Sequence, residues 1–326
     1  MWVHIKNNRV GQDVFRITQE RFDDACTRHP ETAAEVDAII DWDLDRFDES
    51  MAAADVLVTW DLPTDNLAER APNLKFIHII GAGVEHLQPL DWLPPGVSLI
   101  NNKGVHAEKA GEFGLMALLM LNNAIPAILT NQRNAVYEEI FSTAIAGKTL
   151  LVVGLGHMGR AVARQARKNG LRVTGIRRSG APDEAADAVF GPEALDRLLP
   201  DADFVLVTAP HTPETHGLFD RRRLELMKPG AGLINMSRAQ VIDYAALAAC
   251  LASGALSGAV LDVFDPEPLP PTSPLWTTPN LVMTPHVSSD DRDAYVPLTL
   301  DLVFRNIERL LRGEPLMNVV RPDLGY

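Results

Sequence analysis

The extended-forming run Thr149-Leu150-Leu151-Val152-Val153 leads directly into Gly154-Leu155-Gly156-His157-Met158-Gly159. Gly-x-Gly-x-x-Gly between a strand and a helical pattern constrains this chain more than any other feature. Gly154 permits the tight turn, Gly156 lets a pyrophosphate approach the backbone, and Gly159 lets helix and strand pack closely. The helix predicted over Met158–Asn169, closed by Gly170, offers an anion its free N–H groups and partial positive charge. A glycine turn with no ligand is the alternative, and the strand–turn–helix setting weighs against it.

Short apolar runs alternate with helical patterns on both sides of this motif. Strands are predicted at Val56–Trp60, Phe76–Ile80, Ser98–Asn101, Leu171–Ile176, Phe204–Thr208, Gly232–Asn235, Gly258–Val263 and Leu281–Thr284. Helical stretches fall at Asp65–Arg70, Pro192–Leu199 and Asp243–Ser253, and a last amphipathic helix at Asp290–Arg312 stops at Gly313 and Pro315. Such alternation points to α/β architecture with parallel sheets covered on both faces. At 326 residues the chain has room for two domains. Ala110–Leu129 is apolar enough to raise the question of a membrane span, but Glu112, Asn122, Asn123 and Pro126 interrupt it. It is read as one buried or interface helix, with no membrane partner.

A net charge of −13 argues against nucleic acid as a partner. Cys26 and Cys250 are the only cysteines, so neither a disulfide framework nor a metal site is expected. No charged segment followed by an apolar run opens the chain, so no signal peptide is expected, and the reading is cytoplasmic.

The strand after the glycine loop bears on which dinucleotide binds. An acid about 20 residues on usually accepts from the ribose 2′-OH of NAD. Here the strand ends in Arg177-Arg178-Ser179. Guanidiniums and a hydroxyl suit a 2′-phosphate, so NADP(H) is the preferred cofactor, with NAD(H) second. His157 and Met158, inside the loop, join the cofactor site.

Three later segments end in polar residues: Ile234-Asn235-Met236-Ser237-Arg238, Leu261-Asp262-Val263-Phe264-Asp265-Pro266-Glu267, and Thr284-Pro285-His286. An arginine fork can hold a carboxylate, and an imidazole titrates near working pH. Taken singly, each of Arg238, Glu267 and His286 reads as a surface or capping residue. In this order behind the glycine loop, the set resembles the D-isomer-specific 2-hydroxyacid dehydrogenase family.

The resemblance implies two Rossmann/flavodoxin-like parallel-sheet domains with the active site in the cleft between them. Residues 1–103 plus 288–326 would form a discontinuous substrate-binding domain, and 104–287 the dinucleotide-binding domain. It makes Arg238 the orienting group for a 2-oxo acid, His286 the proton donor and acceptor, and Glu267 its partner. Asp262 would bind the nicotinamide carboxamide. Pro210 and Thr215 would lie beneath adenine and ribose, with His211 as a wall. Backbone N–H groups of Ala82 and Gly83 would hold the substrate carboxylate. Trp60 or Trp276 would wall the pocket, and Ser288 or Ser289 could add hydrogen bonds.

A homodimer is expected from the family and the apolar helix. Ala239 stands where the family commonly has glycine, which leaves that turn open to question. Arg-Arg-Ser with Glu-Pro-Leu-Pro-Pro and Ser-Pro-Leu-Trp looks most like the glyoxylate/hydroxypyruvate reductase branch. Glu267 argues against formate-type sites, which carry glutamine there. A non-catalytic dinucleotide sensor of the corepressor type is the alternative, and the absence of long flanks or a basic region weighs against it.

Overall fold

The computed structural model describes residues 1–321. The chain divides into two compact units, Ala107–Ser289 and a second built from Met1–His106 with the chain from Asp290 onward.

The first unit to form in sequence is a five-stranded parallel sheet: β1 (Trp2–Asn7), β2 (Asp37–Trp42), β3 (Val56–Thr59), β4 (Phe76–Ile79) and β5 (Ser98–Ile100). Its order is β2-β1-β3-β4-β5. Alternate residues face opposite ways along each strand. Val56 and Val58 therefore join Val3, Ile5 and Phe76 on one face, while Leu57 joins Ile77, Ile79 and Leu99 on the other. The Tyr295–Leu311 helix covers the first face with Val296, Leu300, Val303, Phe304 and Ile307. That helix begins at Tyr295 and not at Asp290. Asp291 Oδ1 accepts from the N–H groups of Asp293 and Ala294 (2.9 and 2.7 Å), a turn that competes with helix just upstream.

The other unit holds seven parallel strands: β6 (Thr149–Val153), β7 (Arg172–Ile176), β8 (Ala188–Phe190), β9 (Phe204–Val207), β10 (Gly232–Asn235), β11 (Gly258–Leu261) and β12 (Leu281–Met283). Their order is β12-β11-β10-β9-β6-β7-β8. The direction of winding reverses between β6 and β9, the switch point where ligands of open α/β sheets bind. The glycine loop leaves β6 at that point. In the five-stranded sheet the reversal lies between β1 and β3, and Trp60 follows β3.

The apolar stretch at Ala110–Leu129 is two helices, Ala107–Asn122 and Ile125–Arg133, bent by 66°. Ala124 at the break has φ 52°, and Pro126 cannot donate to a continuing helix. Among the described residues no single helix is long and apolar enough to cross a membrane. Gly111 and Gly114 explain the helix's close seat on the helix His157–Lys168. A Cβ at Gly114 would overlap the branched side chain of Val162, and one at Gly111 would lie 3.3 Å from the Ala161 carbonyl. The segment predicted as one helix at Pro192–Leu199 is a 3₁₀ turn, a single α turn at Leu195–Leu198, and a further 3₁₀ turn at Leu199–Asp201.

Candidate active site

Gly154 has φ 104°, and a Cβ there would overlap the Ala209 amide. Thr208 Oγ1 donates to its carbonyl at 2.6 Å, fastening the end of β9 to the loop after β6. A Cβ at Gly159 would overlap the Gly154 carbonyl, whereas one at Gly156 meets nothing within 4 Å. Two glycines are thus needed for packing and the third fronts open space. The helix that starts at His157 has no side-chain cap at Gly156, and the first N–H groups of a helix lack intrahelical partners. Met158 lies half-buried beside them and packs against the core.

Arg177 and Arg178 stand just beyond β7, but an acid lies among them. Asp183 Oδ2 accepts from Arg160 Nε at 2.7 Å and from Arg177 Nη1 at 3.3 Å. Burial pushes the Asp183 carboxyl up; the N–H of Ala185 and the two guanidiniums outweigh that and hold it below the ordinary value. Arg178 adds to the lowering of the Glu214 carboxyl, behind the Thr212 hydroxyl. Ser179 caps its own turn, accepting from the Ala181 N–H at 3.3 Å. In the loop after β9, Thr215 Oγ1 donates to the Pro210 carbonyl at 2.6 Å and accepts from the Thr212 N–H at 2.8 Å. Its hydroxyl therefore shapes the loop from within. His211 Nε2 lies 3.1 Å from His216 Nδ1.

Arg238 follows β10 on a turn built by Asn235. The Asn235 Oδ1 accepts from the Ser237 N–H and hydroxyl, both at 3.0 Å, and its Nδ2 donates to the Arg238 carbonyl and to Tyr244 Oη. Tyr244 donates in turn to the Val263 carbonyl at 2.7 Å, tying Arg238's turn to the segment leading to Glu267. Ala239 is buried in the 3₁₀ turn Ala239–Val241, so the alanine at the family's usual glycine position is accommodated.

Glu267 uses both oxygens. Oε1 accepts from the Phe264 N–H at 2.7 Å, and Oε2 lies 2.8 Å from His286 Nδ1. A carboxylate only accepts, so Nδ1 carries the proton and Nε2 is left for exchange with a ligand. His286 has φ 55°, a left-handed conformation that costs a non-glycine residue about 1–3 kcal/mol. Asp262, 1% exposed, holds it there. Its Oδ1 accepts from Thr284 Oγ1 (2.6 Å) and the Val287 N–H (3.0 Å), its Oδ2 from the Ser288 N–H (3.0 Å). Asp262 is thereby the clamp of the turn that presents the imidazole. Ser288 is buried in that clamp and Ser289 is half-exposed.

In the five-stranded unit, the Trp60 indole stacks on His86 with centroids 4.2 Å apart and planes 13° from parallel. His86 Nε2 donates to the Trp60 carbonyl at 2.8 Å. A Cβ at Gly81 would overlap the indole, so Trp60 lies over the start of the Gly81–Gly83 turn. Trp276 belongs to the other unit, where its Nε1 donates to the Pro270 carbonyl at 2.8 Å.

The profile of the D-isomer specific 2-hydroxyacid dehydrogenase NAD binding domain matches residues 115–288. This chain belongs to that family. The dehydrogenase is 32% identical over 263 residues to glyoxylate/hydroxypyruvate reductase B of Yersinia pestis, covering 78% of this chain and 79% of that one. A D-isomer specific 2-hydroxyacid dehydrogenase from Xanthobacter autotrophicus Py2, solved with NADPH and MES, superposes with a TM-score of 0.82 at 31% identity over 99% of both chains. An NADPH-dependent glyoxylate/hydroxypyruvate reductase from Sinorhizobium meliloti, solved with NADP and sulfate, gives 0.81 at 27% identity over 100% of both.

Within the dehydrogenase, the structure brings Glu267 and His286 into direct contact and ties Arg238's turn to them through buried polar groups. Sequence reasoning missed Asn235, Tyr244 and Asp183. Tyr244 lies six residues beyond Arg238 and Asp183 six beyond Arg177, but neither spacing predicts a bond, because each depends on the path of the intervening turn. The β7 strand end itself carries arginines and no acid, but the chain folds back to bring Asp183 beside Arg177.

Proposed function

We propose that the protein reduces a short 2-oxo acid, of the glyoxylate or hydroxypyruvate type, to the D-2-hydroxy acid with NADPH. The observation that carries this is the 2.8 Å contact between Glu267 and His286 on a turn clamped by Asp262. The bound cofactor supplies the hydride. His286 Nε2 gives its proton to the carbonyl oxygen as that oxygen gains charge, and Glu267 stabilises the imidazolium on the Nδ1 side. In the reverse direction the neutral imidazole takes the proton back. Arg238 orients the carboxylate and carbonyl oxygens with its planar fork. Ala82 and Gly83 N–H groups hold the carboxylate, Trp60 walls the substrate's side chain, and Ser289 adds a hydrogen bond. Gly154, Gly156 and Gly159, with the N–H groups of His157 and Met158, take the pyrophosphate. Arg177, Arg178 and Ser179 take the 2′-phosphate, Pro210 and Thr215 bound the adenosine, and Asp262 faces the carboxamide with its remaining acceptor capacity. The reductase relatives weigh for turnover over a sensing role.

Initial rates with NADPH and NADH against glyoxylate, hydroxypyruvate, pyruvate and phenylpyruvate test this reading. A strong preference for NADPH with a short acid is expected, and His286→Gln should lower kcat by about a hundred- to ten-thousandfold. No turnover with either cofactor, or an unimpaired His286→Gln enzyme, would reject it.

A further inference from the structure

The turn assigned above to the substrate carboxylate, Gly81-Ala82-Gly83, is held from behind at three successive carbonyls. The Ile80 carbonyl accepts from Asn102 Nδ2 and from Tyr295 Oη, each at 2.6 Å. Next, the Gly81 carbonyl accepts from the Asn102 N–H at 2.9 Å. The Ala82 carbonyl accepts from Asn101 Nδ2 at 2.9 Å. In a planar trans peptide the C=O of one residue and the N–H of the next point opposite ways. Fixing the carbonyls of Ile80, Gly81 and Ala82 toward these partners turns the N–H groups of Gly81, Ala82 and Gly83 the other way. Among the described residues, no hydrogen bond uses those three N–H groups. Successive N–H groups presented in this way form an anion-binding concavity.

Asn102 is the hub. Its Nδ2 also donates to Thr299 Oγ1 at 2.7 Å, and Thr299 donates to the Tyr295 carbonyl at 2.8 Å. With Nδ2 committed to two oxygens, Oδ1 is the atom 3.0 Å from His78 Nε2, which must donate. Asn101, Asn102 and Thr299 are all buried. Buried amides and hydroxyls held by partners on every side are fixed in geometry.

We propose that Asn102, with Asn101 and Tyr295, presets the peptide planes of the Gly81–Gly83 turn and so sets the affinity for the substrate carboxylate. These are positioning residues: none of them needs to touch the substrate. The inference rests on the functional reading above and deepens it.

The test compares Tyr295→Phe, Asn101→Ala and Asn102→Ala with the parent enzyme. Three quantities are measured: KM for the preferred 2-oxo acid, Ki for oxamate as a competing carboxylate, and the ratio of kcat/KM for the acid to that for its methyl ester. A displaced binding group commonly changes these constants by about ten- to a hundredfold. The expectation is that Ki and KM rise together, most in Asn102→Ala, while the acid-over-ester ratio falls by about tenfold. A merely structural role would lower acid and ester turnover alike and leave that ratio in place, and this result would overturn the inference. If Asn102→Ala does not fold, two variants decide it: Tyr295→Phe, which deletes one hydroxyl, and Asn101→Ala, which deletes the bond to the Ala82 carbonyl and the one from the Lys103 N–H; a Ki within twofold of the parent in both rejects the inference. A parent enzyme that is active but whose variants keep the ratio sinks only this inference. A parent that neither reduces a 2-oxo acid nor binds oxamate sinks the functional reading and this inference with it.

Discussion

Arg238, Glu267 and His286 were legible through the family resemblance, which their order behind the glycine loop carries. What holds them was not legible. Asn235 and Tyr244 around Arg238, and Asp262 beneath His286, act through bonds to backbone atoms of other segments. The same holds for Asp183, which shares one oxygen between Arg160 and Arg177. Arg160 and Arg177 together carry two positive charges against the one negative charge of Asp183, a net of one beside the end of β7. Asp183→Asn should keep the shape but release both guanidiniums. We expect the Kd for NADP⁺, measured by titration calorimetry without substrate, to weaken by about tenfold while that for NAD⁺ moves less than twofold. Equal weakening for both cofactors would show Asp183 to be structural only, and tighter NADP⁺ binding would show it to be a repulsive group.

Among the elements, β6 and β10 were read from sequence to the residue, because buried parallel strands are continuous apolar runs. β1 and β2 were not read at all. His4 and Lys6 interrupt β1, and Asp37 and Asp41 interrupt β2. Lys6 is compensated by Asp61, with which it pairs, and by Asn8 at 2.7 Å. His4 in β1 and His78 in β4 are turned into the covered faces of this sheet, and burial lowers the pKa of each from 6.5 to about 4. A histidine with a lowered folded-state pKa contributes its full stability above the unfolded value near 6.5. That contribution is lost as pH falls toward about 4, since the unfolded chain binds the proton first. Each unit of separation is worth about 1.4 kcal/mol, so the two together make the five-stranded unit acid-labile. Hydrogen exchange followed from pH 7 to pH 4 should show β1 and β4 losing protection before β6 and β9. The reverse order would contradict this account.

At the scale of the whole molecule, the Ala107–Asn122 helix leaves Met116 and Leu119 exposed, and the segment after the Ile125–Arg133 helix exposes Tyr137 (96%) and Phe141 (87%). Large aromatics left bare in this way suit a partner surface. If the homodimer expected from the family resemblance forms through this surface, light scattering should return twice the chain mass at micromolar protein. A monomer would refute it, and Tyr137→Ser with Phe141→Ser should shift a dimer toward monomer. The sequence by itself determined the α/β class and the glycine loop, since these follow from periodicity and short-range spacing, and its resemblance to the family supplied the catalytic candidates. Only the tertiary structure decided the rest: the 66° break in the apolar stretch, Asp183 among the arginines, and Asn102 behind the Gly81 turn. The physical reason is that a buried polar group is satisfied by whichever donor or acceptor the fold brings near. For Asn102 that partner includes Thr299, 197 residues away.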